Sequence, residues 1–270
     1  MTSTLLQVES LAKTYPLPGG GRHTAAEDIN FTLQPGGALG IVGESGSGKT
    51  TVARMLVGLT TPDTGLITVD GRAREPRTPR RRPARLTRAR EIQMVFQDPY
   101  VSLDPRLTAD QCLRSALRLH GRAESLAATL LDQVGLGERE AGARPRHLSG
   151  GQRQRLAIAR ALAVDPRILV LDEAVAALDV SIQAQILRLL DDIRRDTGVA
   201  LVFVSHDLAV VQHVTDEVLV MRRGRTVEQG PTRRVLTEPS DPYTRLLLAS
   251  VPGEGWDPAD AVAARAALSV

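Results

Sequence analysis

Apolar positions along the chain fall into short runs that alternate with helically spaced stretches. Leu5–Val8 and Ile29–Leu33 read as strands, separated by a proline- and glycine-rich turn at Pro16–Gly21. Ala38–Val42 is a compact apolar run that leads into glycine, and Lys49–Leu59 follows with helical spacing. Gly71–Arg90 is rich in proline and arginine and shows no apolar period, so an exposed loop is expected there. Ile92–Phe96 is again strand-like. Leu107–His120 and Glu124–Val134 then carry helical spacing, with little strand signal before Ile168. Ile168–Leu171 reads as a buried strand. Ser181–Thr197 places Ile182, Ile186, Leu189, Leu190 and Ile193 on one helical face, with Gly198 as its stop. Ala200–Val204 and Glu217–Met221 are further buried strands. Strands alternating with helices predict an α/β fold with a mainly parallel sheet covered on both faces. The helical stretch Pro99–Leu162 reads as a lobe inserted into that core.

The bulk numbers narrow the class. A chain of 270 residues with 42% hydrophobic residues is ample for a buried core. Its longest apolar runs, such as Val199–Val204, are too short to cross a bilayer, and Met1–Glu9 lacks the layout of a signal peptide. Cys112 is the only cysteine, which excludes disulfides within the chain and cysteine-built metal sites. A cytosolic location is expected. The net charge of +3 is carried almost wholly by arginine, since Lys13 and Lys49 are the only lysines.

One of those two lysines falls in a phosphate-binding pattern. Gly43-Glu44-Ser45-Gly46-Ser47-Gly48-Lys49-Thr50 matches the eight-residue phosphate loop, in the required context of a strand before and a helix after. Its glycines let backbone N–H groups converge on phosphate oxygens, and the helix N-terminus adds its positive end. Lys49 would bridge the β- and γ-phosphates, the Thr50 hydroxyl would ligate Mg²⁺, and Thr51 completes the nucleotide contacts.

Two further patterns extend the chemistry. Ile168–Leu171 leads directly into Asp172 and Glu173, two carboxylates at a strand's C-terminal end, where open α/β sheets bind ligands. Asp172 can hold Mg²⁺ and Glu173 can act as general base on an attacking water. Leu148-Ser149-Gly150-Gly151-Gln152 precedes a helically spaced run, so Ser149 and the glycines form a second anion site at a helix N-terminus. One triphosphate bound by one chain has no use for both.

These motifs, in this order, resemble the ATP-binding cassette (ABC) proteins, with Leu148–Arg155 similar to their signature. The resemblance covers about Leu5 to Pro252. It implies a phosphate-loop ATPase core over 1–98 and 163–230, a helical signature subdomain over 99–162 and a C-terminal extension over 231–270. Tyr15 then stands for the adenine-stacking aromatic, and Gln97 for the glutamine that reaches Mg²⁺ and water. Asp179, in Ala177-Leu178-Asp179, stands for the D-loop and His206 for the switch histidine. The family pattern further implies a head-to-tail dimer, each ATP lying between the phosphate loop of one subunit and Ser149–Gln152 of the other.

Within the family, Val95–Arg106, Leu178–Leu187 and Asp241-Pro242-Tyr243-Thr244-Arg245 resemble the oligopeptide, dipeptide and nickel importer branch. Tyr100 resembles the second of the two ATPase subunits such importers carry, which implies a heterodimer. The implied partners are that second ATPase subunit, two membrane permease subunits and an extracytoplasmic substrate-binding protein, with the chain on the cytoplasmic face of the membrane. ATP and Mg²⁺ are the implied cofactors. Some members carry a cysteine cluster near the C-terminus; this chain has none there, so no iron–sulphur cluster is expected. Ala174 and Ala176 depart from the branch's usual proline and serine. An ABC exporter remains an alternative, as does a nucleic-acid-acting cassette. For the latter, the arginines from Arg72 to Arg90 lack the interleaved aromatics that stack bases, and no nucleic-acid partner is expected.

Overall fold

The computed structural model describes residues 4–77 and 79–250, and the 253–270 tail lies outside them. The chain begins with β1 (Leu6–Pro16), β2 (Arg22–Leu33), β3 (Ala38–Val42), α1 (Lys49–Val57), β4 (Thr64–Val69) and β5 (Arg72–Ala73). Next come α2 (Arg82–Glu91), β6 (Ile92–Val95), α3 (Ala109–Leu119), α4 (Leu126–Gln133), α5 (Glu138–Ala141), α6 (Gly150–Leu162), β7 (Ile168–Asp172) and α7 (Val180–Thr197). The remaining elements are β8 (Ala200–Ser205), α8 (Leu208–Val214), β9 (Glu217–Arg222), β10 (Arg225–Pro231), α9 (Thr232–Thr237) and α10 (Pro242–Ala249). They divide into two compact units: one of the described residues up to 77 with those from 202 onward, the other of Pro79–Leu201.

In the first unit, β2, β1, β4 and β5 lie side by side as an antiparallel sheet. Leu6, Val8, Leu11, Ile29, Phe31 and Ile67 are buried on it. The pairing of β1 shifts register between Val8 and Leu11, and Ser10 there has φ +46°. The Ser10 N–H leaves the ladder and donates to Asn30 Oδ1 at 2.7 Å. Such a bulge breaks the period-2 pattern, which is why the sequence shows a strand only to Val8 while β1 runs on to Pro16. In the same unit β3 pairs in parallel with β9, and β10 lies antiparallel on β9. Every residue of β3 and β8 is buried, as their unbroken apolar runs require.

In the second unit β6 and β7 pair in parallel. Thr108 caps α3 through a reciprocal capping box with Gln111, and α3 buries Cys112, Leu113, Ala116 and Leu117. Gly198 ends α7 in the left-handed conformation with φ +70°, its N–H donating to the Arg194 carbonyl at 2.9 Å. The expected loop at Gly71–Arg90 is corrected: β5 lies within it, and α2 begins within it and runs on to Glu91. α2 has no buried residue, so it carries no apolar stripe from which its period could be read.

His120, at the end of α3, is 7% exposed. Burial first, then the nearby Arg90 and Arg160 charges, hold its pKa below the ordinary 6.5. The unfolded chain thus takes up this proton more readily than the folded one. The resulting stability is present above the unfolded pKa and is lost as pH falls through the lower folded value. Thermal unfolding from about pH 7.5 to 5.5 should therefore show a steeper fall in Tm for the wild type than for His120→Gln. Equal slopes would exclude His120 as the cause.

Candidate active site

β3 delivers the chain to the loop at Gly43, and the loop turns it into α1 at Lys49. The turn is built by close backbone approach. Gly48 has φ +104°, and a Cβ there would lie 1.9 Å from the Ala25 carbonyl oxygen. At Gly43, with φ +149°, it would lie 2.2 Å from the Met221 carbonyl oxygen. No side chain fits at either place, so Gly48→Ala is expected to distort the loop and abolish ATP binding, read by nucleotide titration. Retained affinity would show that the loop tolerates a different path.

The first turn of a helix lies at the positive end of its dipole, and α1 begins at Lys49 directly after the loop. Lys49 is 4% exposed, and its Nζ donates to the carbonyls of Gly43 at 2.7 Å and Glu44 at 2.9 Å. A cation is thus enclosed by the loop it serves. Ser47 is buried, its N–H donating to the Glu44 carbonyl at 3.1 Å and its own carbonyl accepting from Gly224 N–H at 3.0 Å. Glu44, Ser45 and Gly46 are exposed, while Thr50 and Thr51 are half-buried in the first turn of α1.

The same unit holds Tyr15 and His206. Tyr15 is half-buried on β1, with the Lys13 ammonium 5.6 Å from its ring centroid; Lys13 also pairs with Asp63 at 2.7 Å. His206 is exposed, immediately after β8 and just before Asp207, which caps α8.

The remaining candidates belong to the second unit. Asp172 is the last residue of β7 and is 7% exposed. Glu173 follows at φ +49°, a conformation that costs a non-glycine residue about 1–2 kcal/mol. Its carbonyl accepts from Ala176 N–H at 3.1 Å, so the strand ends in a sharp turn. Asp179 is exposed and sits at the N-cap of α7. Leu148 is buried, and Ser149 caps α6 through a reciprocal box with Gln152: Gln152 N–H donates to Ser149 Oγ at 3.2 Å, and Ser149 N–H to Gln152 Oε1 at 2.8 Å. A Cβ at Gly151 would meet Ile182 Cγ2 at 2.5 Å, so this glycine lets α6 pack closely on α7.

Gln97 is exposed and lines a cleft of about 420 Å³ with Asp98, Tyr100, Gly150, Arg153, Gln154, Ala177 and Leu178. Tyr100 stacks under Arg153, whose guanidinium carbon is 4.8 Å from the ring centroid. The cleft thus gathers Gln97, a glycine of the Ser149–Gln152 motif and the segment after Glu173. Asp104 lies further along the same stretch, where hydrogen bonds from Arg106 hold its carboxyl down at about 2.

The Thr50 hydroxyl, Gln97 amide oxygen and Asp172 carboxylate are hard oxygen donors, the kind magnesium takes. Sequence reasoning missed Tyr243 of α10, whose hydroxyl accepts a hydrogen bond from Glu44 N–H at 3.0 Å. The two residues are 199 positions apart, and no local pattern signals that pairing.

A glycine-built loop enclosing a lysine at a helix start, with a strand ending in two carboxylates, defines a phosphate-loop nucleoside triphosphatase. The profile described as ABC transporter matches residues 26–176, and the chain belongs to that family, as an ATP-binding and ATP-hydrolysing subunit. It is 47% identical over 93% of its length to a probable peptide ABC transporter ATP-binding protein of Sinorhizobium fredii, covering 74% of that protein. It is 46% identical over 92% of its length to the glutathione import ATP-binding protein GsiA of Escherichia coli K12, but spans only 41% of it. Among solved structures it resembles the ATP-binding cassette MJ0796, in a dimeric post-hydrolysis state bound to ADP and Pi, with a TM-score of 0.75. That match has 29% identity over 85% of this chain and 99% of the other. No helix among the described residues is long and apolar enough to cross a membrane.

Proposed function

We propose that the chain is the ATPase subunit of a membrane importer for peptides or a related small solute, nickel included, bound to the cytoplasmic face of the membrane. The observation that carries this reading is the 47% identity to a probable peptide transporter subunit, which extends over 93% of the chain.

Lys49 and the loop amides hold the β- and γ-phosphates, while Tyr15 stacks on the adenine. Thr50, Gln97 and Asp172 are the residues that would hold Mg²⁺, which would supply charge neutralisation at the phosphates. Glu173 orients a water and takes its proton as the water attacks the γ-phosphorus; the bond to the β–γ bridging oxygen breaks and ADP leaves. His206 steadies the γ-phosphate side. Leu148–Gln152 and Asp179 face the ATP held by a second subunit, so ATP joins two chains head to tail and its hydrolysis releases them. That MJ0796 is dimeric supports the pairing of two chains. Residues 1–98 with 163–230 serve as the ATPase core, 99–162 as the signature lobe and 231–270 as an extension. The cleft beside Gln97, with Asp98–Arg106, is the surface offered to a permease.

Affinity purification of the full chain from its membranes tests this. Recovery of two permeases, a second ATPase subunit and a binding protein is expected, with ATP hydrolysis unmoved by DNA. DNA-stimulated hydrolysis and no permease would overturn it.

A further inference from the structure

The Asp241–Arg245 motif of α10 has no place in the mechanism above, yet it reaches the phosphate loop. Tyr243 is 2% exposed, and its hydroxyl accepts a hydrogen bond from the N–H of Glu44, the second residue of the loop, at 3.0 Å. Its ring lies under the Arg222 guanidinium, whose carbon is 5.0 Å from the centroid. Arg222 is the last residue of β9, the strand that pairs with β3 and whose Met221 carbonyl closes against Gly43.

The helix that carries Tyr243 is itself pinned at its start. Asp241 accepts from Tyr243 N–H at 2.7 Å. Glu228 on β10 accepts from Ser240 N–H and Oγ at 2.8 and 2.7 Å, and from Asp241 N–H at 3.2 Å. Burial raises the phenol's pKa, so its hydroxyl stays neutral across the working range.

Glu44 is therefore held at both its polar backbone groups, with its N–H on Tyr243 and its carbonyl on Lys49 and Ser47. When Lys49 turns toward phosphate, the Tyr243 contact still fixes the loop's entry. We infer that Tyr243 is a positioning residue for ATP binding: its hydroxyl sets the path of the loop at Glu44, so that the amides following it are already arranged for phosphate. Preorganised donors bind an anion without the cost of ordering the loop. Without that bond the nucleotide-free loop would sample other paths and ATP would bear the cost of ordering it, so affinity would fall; a bond with no such ordering effect would change stability only.

Tyr243→Phe removes the hydroxyl and keeps the ring under Arg222. In the full chain, the Kd and KM for ATP should rise about 3- to 10-fold, the scale of one neutral hydrogen bond, with kcat changed less than about twofold. The nucleotide-free Tm should stay within about 2 °C of wild type, and the gain in Tm on adding ATP should shrink. Unchanged Kd and KM would overturn the inference whatever happens to Tm, as would a fall in kcat alone. The inference rests on the phosphate-loop assignment, and Lys49→Ala measured alongside separates the two: intact ATP binding there refutes the assignment itself, while a silent Tyr243→Phe beside a defective Lys49→Ala refutes only the role of Tyr243.

Discussion

Glu173→Gln in the full chain is expected to bind ATP nearly as well as the wild type and to hydrolyse it about 10²- to 10⁴-fold more slowly, the usual contribution of a general base. The substitution isolates the proton-accepting oxygen. Glutamine has the same length and shape, so the turn at φ +49° meets the same backbone cost with either side chain. Asp172 and the rest of β7 are untouched and buried. Since binding persists while turnover stops, the ATP-joined pair of subunits should accumulate, visible as a larger species by light scattering only when ATP and Mg²⁺ are present. Near-normal phosphate release from this variant would remove Glu173 from the mechanism.

Lys49→Ala should act one step earlier, with ATP affinity falling about 10- to 100-fold, the scale of a lost charge-assisted hydrogen bond or two. Lys49 is 4% exposed and its ammonium is held by two loop carbonyls, so its removal takes away the loop's charge and an internal tie together. Lys49→Arg should not rescue binding: a planar guanidinium cannot occupy the space of a compact ammonium inside that turn. Fluorescent-nucleotide titration distinguishes the two variants. Glu173→Gln should saturate as wild type does, and Lys49→Ala should need far more ligand.

What the sequence revealed depended on how locally each feature is encoded. β3, the loop and α1 were legible because a fully buried strand, a set of glycines and a helical period stand consecutively in the chain. The Gly198 stop was legible for the same reason, since a left-handed helix end favours glycine. Three kinds of feature were hidden. The far half of β1 lies beyond a bulge at Ser10 that breaks the alternation, and α2 has no fully buried residue and so leaves no period. The antiparallel β1–β2–β4–β5 sheet depends on pairings between separated segments.

The site followed the same rule. Gly43–Thr50, Asp172–Glu173 and Ser149–Gln152 each announce themselves by composition and context. The left-handed backbone of Glu173 does not, because nothing at that position names a conformation usually left to glycine. Nor does the Glu44–Tyr243 bond, which joins a loop near the start of the chain to a helix near its end.

The central claim is that this chain spends ATP at the phosphate loop to drive uptake of a peptide-class solute. Phosphate release from the purified complex of the full chain, its partner ATPase subunit and its permeases, with the binding protein present, tests that most directly. Release should require Mg²⁺ and ATP, rise when short peptides are added and collapse in the complex carrying Glu173→Gln. A rate unmoved by peptides or nickel, or one that survives Glu173→Gln, would contradict it.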